Sequence, residues 1–187
     1  MAQKRRTGRA GQNSSPPRPL DRAALEALAL TYVGRFATSR AKLIAYLGRK
    51  LRERGWAPDA GADAPVEAIA DRLVALRYVD DEAYAAMKTS AMQRRGLGTR
   101  RIVQALRHDG IAADIREEVT PDPLARWEAA ECLARRRHIG PFALERPDRP
   151  AREKQLAAFL RAGHDLETAR TWVDAAPGEE PPRPEDA

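Results

Sequence analysis

Three times along this chain a stretch of helical periodicity closes its second helix on a glycine, at Gly55, Gly110 and Gly163. Glycine supplies the left-handed residue that ends a helix without a Cβ penalty. Between these stops the apolar residues fall on helical faces. In the first unit they are Leu25, Leu28, Ala29, Tyr32, Val33 and Phe36, then Leu43, Leu47 and Leu51, then Val66, Ile69, Ala70, Leu73 and Val74. The second unit offers Tyr84, Met87 and Ala91, then Ile102, Val103 and Leu106, then Ile111, Ile115 and Val119. The third offers Leu124, Trp127, Ala130 and Ala134, then Leu156, Phe159 and Leu160, then Leu166, Ala169 and Val173. No run alternates with the period of a strand. Three units of roughly 40 to 50 residues predict an all-α fold of tandem three-helix repeats, stacked into an elongated, curved array. Aromatic residues make up only 5% of the chain, so the apolar material is small-sided and suits such an array better than one thick globule.

The expected boundaries are repeats at 21–78, 79–120 and 121–176. Residues 1–20 read as a disordered basic arm and 177–187 as a disordered acidic tail, because neither can bury enough surface to offset ordering entropy. Of the formal charge of +6, the arm carries +5 and the tail −3, which leaves a mildly basic middle at +4.

The single cysteine, Cys132, excludes an internal disulfide. No stretch approaches the roughly 20 apolar residues needed to span a bilayer, and the basic N-terminus lacks the apolar core of a signal peptide. A cytoplasmic location without membrane association is expected. His108, His138 and His164 are scattered, with no spacing that suggests a metal site or a catalytic triad. Neither an enzyme nor a cofactor is expected.

The most informative stretch is RYVDDEAYA from Arg77 to Ala85, followed by RRGLGTRRIVQALRHDGI from Arg94 to Ile111. Asp80 is a strong N-cap, and Asp81 and Glu82 then sit at the positive end of a helix dipole. From Ala83 to His108 the chain carries Lys88, Arg94, Arg95, Arg100, Arg101 and Arg107 and not one acid. Such a field favours a polyanion or an acidic protein face. The Gly96-Leu97-Gly98-Thr99 turn places flexible backbone before a helix N-terminus, where free N–H groups can hold a phosphate; an ordinary helix–helix turn explains it equally well. Arg135, Arg136 and Arg137 form a second basic cluster at a helix C-terminus, where cations also complement the dipole.

These segments resemble the RecX family of recombinase regulators, whose middle repeat typically reads G-Y-L-D-D-x-x-[FY]-A, then a basic helix, then [KR]-G-x-x-[RK]-I-x-x-x-L-x-x-K-G-I. The resemblance spans Leu25 to Val173. Two departures stand out in that repeat: Arg77 replaces the usual Gly, and Asp109 replaces the usual Lys, which subtracts one charge from the basic face. In the first repeat the family opens its second helix with Ser, two residues, then Glu-Leu; here Ser39 keeps the cap and Lys42 replaces the Glu. The resemblance implies tandem three-helix repeats. It also implies a monomeric, non-enzymatic regulator that lies in the groove of the RecA recombinase filament, close to its DNA, and modulates ATPase and strand exchange, with inhibition expected. The residues expected to meet the partner are Lys88, Arg94, Arg95, Arg100, Arg101 and Arg107, with Arg135, Arg136 and Arg137 as a second patch. A stand-alone DNA-binding protein of helix-turn-helix type is the alternative.

Overall fold

The computed structural model describes residues 18–184, whose regular elements are all helices, with no strand among them beyond a single bridge between Leu20 and Trp56. The helices are α1 (Arg22–Val33), α2 (Arg40–Arg54), α3 (Val66–Ala75), α4 (Asp81–Gln93), α5 (Thr99–His108), α6 (Ala113–Glu118), α7 (Pro123–Arg137), α8 (Arg149–Ala162) and α9 (Leu166–Asp174), with a 3-10 turn at Gly140–Phe142. Their starts are written in the sequence. Asp21, Ser39, Asp80, Asp122, Asp148 and Asp165 each turn a side-chain oxygen onto the backbone N–H three residues on, filling donors that a helix N-terminus leaves open.

The helices group in threes around separate apolar clusters. Leu25, Ala29, Leu43, Leu47, Ile69 and Leu73 close the first group, Tyr84, Met92, Ile102, Leu106 and Ile111 the second, and Trp127, Leu133, Phe159, Trp172 and Val173 the third. Hydrogen bonds and ion pairs between groups, among the described residues, join first to second and second to third.

Several expectations need correction. Met87 and Ala91 were expected to continue the Tyr84 stripe, but Met87 is exposed and Ala91 is half-buried; Ala85, Thr89 and Met92 are buried instead. The inward face of α4 is rotated because this helix packs on both its own unit and α7. Phe36 lies beyond the end of α1 and is exposed, and Leu160 and Leu166 face solvent. Leu20, counted with the basic arm, is fully buried: its N–H donates to Gly55 O and its carbonyl accepts from Ala57 N, both at 2.9 Å. The rest of that arm up to residue 17 lies outside the described residues.

The chain after α9 was expected to be an appendage. As far as Pro184 it packs back on the third group: Gly178 N–H donates to Pro141 O at 2.9 Å, Pro181 is buried, and the Arg183 guanidinium lies 5.0 Å over the Trp127 ring. Trp127 and Trp172, 4.9 Å apart between ring centroids, provide the apolar surface that holds it. Residues 185–187 lie outside the described residues.

Arg77 explains why a glycine is usual at its position. Arg77 N–H donates to Val74 O and Tyr78 N–H to Leu73 O, both at 2.9 Å, a helix-ending motif that forces the residue between into the left-handed region at φ 59°. Gly110 fills the same place after α5, with its own N–H on Arg107 O and Ile111 N–H on Leu106 O. We therefore expect Arg77→Gly to raise stability by up to about 1 kcal/mol, read as a higher denaturation midpoint in urea at unchanged slope. A lower midpoint would show that the exposed Arg77–Asp80 ion pair at 3.2 Å outweighs the backbone strain.

Candidate polyanion-binding surface

The second helix of each group is the element that builds the surface. The N–H of Gly98, which caps α5, donates to Ala162 O at 3.0 Å, and Arg100 N–H donates to Gly163 O at 3.1 Å. The C-terminus of α8 therefore meets the N-terminus of α5. At the other end of α5 the relation recurs: Ser39 Oγ, at the N-terminus of α2, donates to Asp109 O at 2.6 Å. The same α2 N-terminus gives Arg40 N–H to Asp81 Oδ1 at 2.8 Å. So α8, α5 and α2 follow one another end to end, each carbonyl end against the next N–H end, where opposite dipole ends attract. Roughly 60 Å of helix lies in this row at 1.5 Å per residue.

Close approach at these joints demands glycine. A Cβ on Gly98 would overlap the backbone of Gly163 and His164, and one on Gly110 would overlap the Ala41 side chain. Gly96 and Gly98 are therefore packing glycines. The phosphate-holding reading of this turn is corrected: two N–H groups at the α5 N-terminus already serve α8 carbonyls.

The row is basic and its neighbours are not. Helices α2, α5 and α8 together carry thirteen Lys or Arg against two acids, whereas α3, α6 and α9 carry three against seven. Several row cations are paired, including Arg40 with Asp71, Lys42 with Asp109, and Arg152 with Asp174. Arg52, Arg54, Arg100, Arg101, Arg107, Lys154 and Arg161 have no carboxylate within 4.0 Å among the described residues.

The expected contact residues divide accordingly. Arg100, Arg101 and Arg107 stand exposed on α5, opposite the buried Ile102 and Leu106. Arg94 and Arg95 are exposed in the α4–α5 turn, off the row. Lys88 is committed elsewhere: its ammonium pairs with Asp109 at the joint between first and second groups. Arg135 pairs with Glu131 at 2.5 Å and lies over the Phe142 ring, while Arg136 and Arg137 are exposed at the end of α7. Arg52, Arg54, Lys154 and Arg161 were not singled out from the sequence, because only the end-to-end order of the helices brings them into one row with α5.

Asp109 does not dilute a surface; it is buried and organises the first joint. Its Oδ2 accepts from the Tyr84 hydroxyl at 2.5 Å and from Lys88, and lies 3.6 Å from Lys42 Nζ, which also donates to the Tyr84 oxygen at 3.0 Å. Burial alone would raise its pKa, but the hydrogen bonds from Lys88, Tyr84 and His108 prevail and hold it at about 2. At the second joint His164 is buried on Phe159, with Nε2 3.1 Å from Gly96 O. A carbonyl only accepts, so Nε2 carries the proton, and burial pushes this pKa down.

Residues 80–119 match the family model described as RecX, second three-helix domain. The chain is 33% identical over 173 residues to Regulatory protein RecX of Myxococcus xanthus (strain DK1622), covering 86% of this chain and 90% of that protein. It is 32% identical over 123 residues to Regulatory protein RecX of Agrobacterium fabrum (strain C58 / ATCC 33970), covering 64% and 65%. Among solved structures, a crystal structure of regulatory protein RecX aligns at a TM-score of 0.58 and 23% identity, over 81% of this chain and 73% of that one. RecX from Lactobacillus salivarius aligns at 0.57 and 22%, over 80% and 92%. These likenesses define the fold class, an all-helical array shared with the RecX structures. The chain belongs to the RecX family of regulatory proteins.

The depressed Asp109 carboxyl makes the first joint acid-sensitive. Its stabilisation is fully present above the unfolded value of 3.8 and is lost as pH falls through about 2, a contribution on the order of 2 kcal/mol. Chemical denaturation of the parent and Asp109→Asn at pH 7 and pH 2.5 should show their difference shrinking at the lower pH; a constant difference would remove the carboxylate from the joint. Asp109→Lys alone should destabilise by about 3 kcal/mol or more, since it leaves a buried charge beside two lysines. Adding Lys42→Glu should recover part of that loss, and strict additivity of the two changes would rule out the coupling.

Proposed function

We propose that this protein regulates the RecA recombinase by binding along its nucleoprotein filament and restraining ATP hydrolysis and strand exchange, acting by occupancy and without chemistry of its own. The observation that carries the reading is the end-to-end row of α2, α5 and α8. It is a long, positively charged track whose cations recur from one repeat to the next. A filament presents equivalent sites one protomer apart next to a phosphate backbone. Three linked units that each make a weak contact with such a lattice bind far more tightly together than singly. Membership of a family of regulatory proteins supports the same reading. No described helix is long and apolar enough to cross a membrane.

Contacts to phosphate position a protein without reading sequence, so binding of this kind is expected to be salt-dependent and insensitive to base order. The acidic third helices keep the charge one-sided, which orients the array on a polyanion.

The test removes charge without disturbing the joints. Glutamates in the first turn of α5 would face the carbonyl end of α8, so neutral substitutions at Arg100 and Arg107 are the cleaner choice. Arg100→Gln with Arg107→Gln should leave helicity and melting temperature unchanged. In a titration of DNA-dependent ATP hydrolysis by the cognate recombinase, the double variant should need about tenfold more protein for half-maximal inhibition, with a salt slope reduced by about 2. A folded double variant as effective as the parent would remove the α5 patch from the mechanism. A parent that leaves every recombinase filament unaffected yet binds bare DNA tightly would favour the stand-alone DNA-binding alternative.

A further inference from the structure

The tetrapeptide Pro-Pro-Arg-Pro occurs twice in this chain, at residues 16–19 and 181–184. The second copy is seated in the groove between α7 and α9. Pro181 is buried, Arg183 lies over the Trp127 ring, and Pro184 borders a cavity of about 250 Å³ whose wall includes Trp127, Trp172, Asp165 and Glu167. This is the chemistry that takes an extended, proline-rich segment. Consecutive prolines hold the polyproline II conformation at little entropic loss, flat aromatic faces receive them, and an arginine between them stacks on one ring.

The first copy cannot use this groove in its own chain. Leu20 is fully buried and bonded to Gly55 and Ala57 at the far end of α2, so Pro16 can reach at most about 14 Å from that anchor. The groove of the same chain lies beyond α2 and α5, whose helices alone span about 37 Å of the row. A second molecule has no such limit. The α2 end of the row is also unfilled: a Cβ on Gly55 would meet nothing within 4 Å, whereas Gly110 and Gly163 are packed against the next unit.

We infer that the α7/α9 groove is a binding site for Pro-Pro-Arg-Pro segments, filled within one molecule by residues 181–184 and between molecules by residues 16–19 of a second copy. The two occupants compete, and the tethered one wins at low concentration because its effective concentration is high. Exchange would set the first group of one molecule against the third group of the next. Repeated from chain to chain, that gives an open head-to-tail association.

The experiment uses the full chain and Arg183→Glu, which takes the cation off the Trp127 ring and loosens the tethered segment. In sedimentation velocity the parent should remain monomeric, Arg183→Glu should show a weight-average mass rising with concentration, and Arg183→Glu with Arg18→Glu should return to monomer. The synthetic heptapeptide Ser-Ser-Pro-Pro-Arg-Pro-Leu, residues 14–20, should shift tryptophan emission of Arg183→Glu at about tenfold lower concentration than the parent requires. If Arg183→Glu stays monomeric and the peptide leaves its emission unchanged, the groove is no such site. Peptide binding without self-association would overturn the exchange between copies, as would association that survives Arg18→Glu.

Discussion

Everything beyond the single three-helix unit rests on one contact made twice: the carbonyl end of one second helix against the N–H end of another. A helix leaves backbone donors unpaired at its start and acceptors unpaired at its finish. At the α8/α5 joint the two sets of orphans satisfy each other directly, at Ala162 and Gly163 with Gly98 and Arg100, and at the α5/α2 joint a side chain mediates, the Ser39 hydroxyl donating to Asp109 O. The partial charges at the two ends are opposite, so the electrostatics and the hydrogen bonding act together. Glycine is required where the ends touch, which gives the glycines after α5 and α8 a role beyond helix termination.

The twin aspartates gain meaning from the same geometry. Asp80 caps its own helix, while Asp81 reaches across to cap α2 through Arg40 N–H. Two of the three departures from the family pattern also come together here. Lys42 stands where Glu is usual and Asp109 where Lys is usual, and the two side chains lie 3.6 Å apart. An acid and a base have changed places across one joint, and the attraction between the two positions is kept. The third departure, Arg77, is a local matter of a left-handed residue and has no partner elsewhere in the array.

The helical units, their starts and their glycine stops were legible because capping side chains and apolar periodicity act within a few residues. The site was legible only in part. Arg100, Arg101 and Arg107 could be found because they cluster in the chain, but Lys88 in the same cluster turns inward to Asp109, and nothing local distinguishes the two fates. Arg52, Lys154 and Arg161 join the same row through contacts between residues far apart in sequence. Met87 and Phe36 were misplaced for a related reason: an array helix packs against two neighbours or ends early, and a single-stripe reading assumes one long face. Pro181 and Arg183 sit in a polar, charged stretch whose composition gives no hint that two tryptophans are waiting for it.

The joints also set how the molecule yields to force. Each three-helix group has an apolar cluster of its own, whereas successive groups are joined by polar bonds at helix ends, with the packing of α4 on α7 added between the second and the third. Hydrogen bonds pulled along their length break over a very short extension, while a packed core must expose its whole surface at once to unravel. Tension along the row would therefore part the groups like links before any one of them unfolds, and the chain would lengthen stepwise and reclose when the load is removed. A protein of this construction is compliant at two places and stiff everywhere between them.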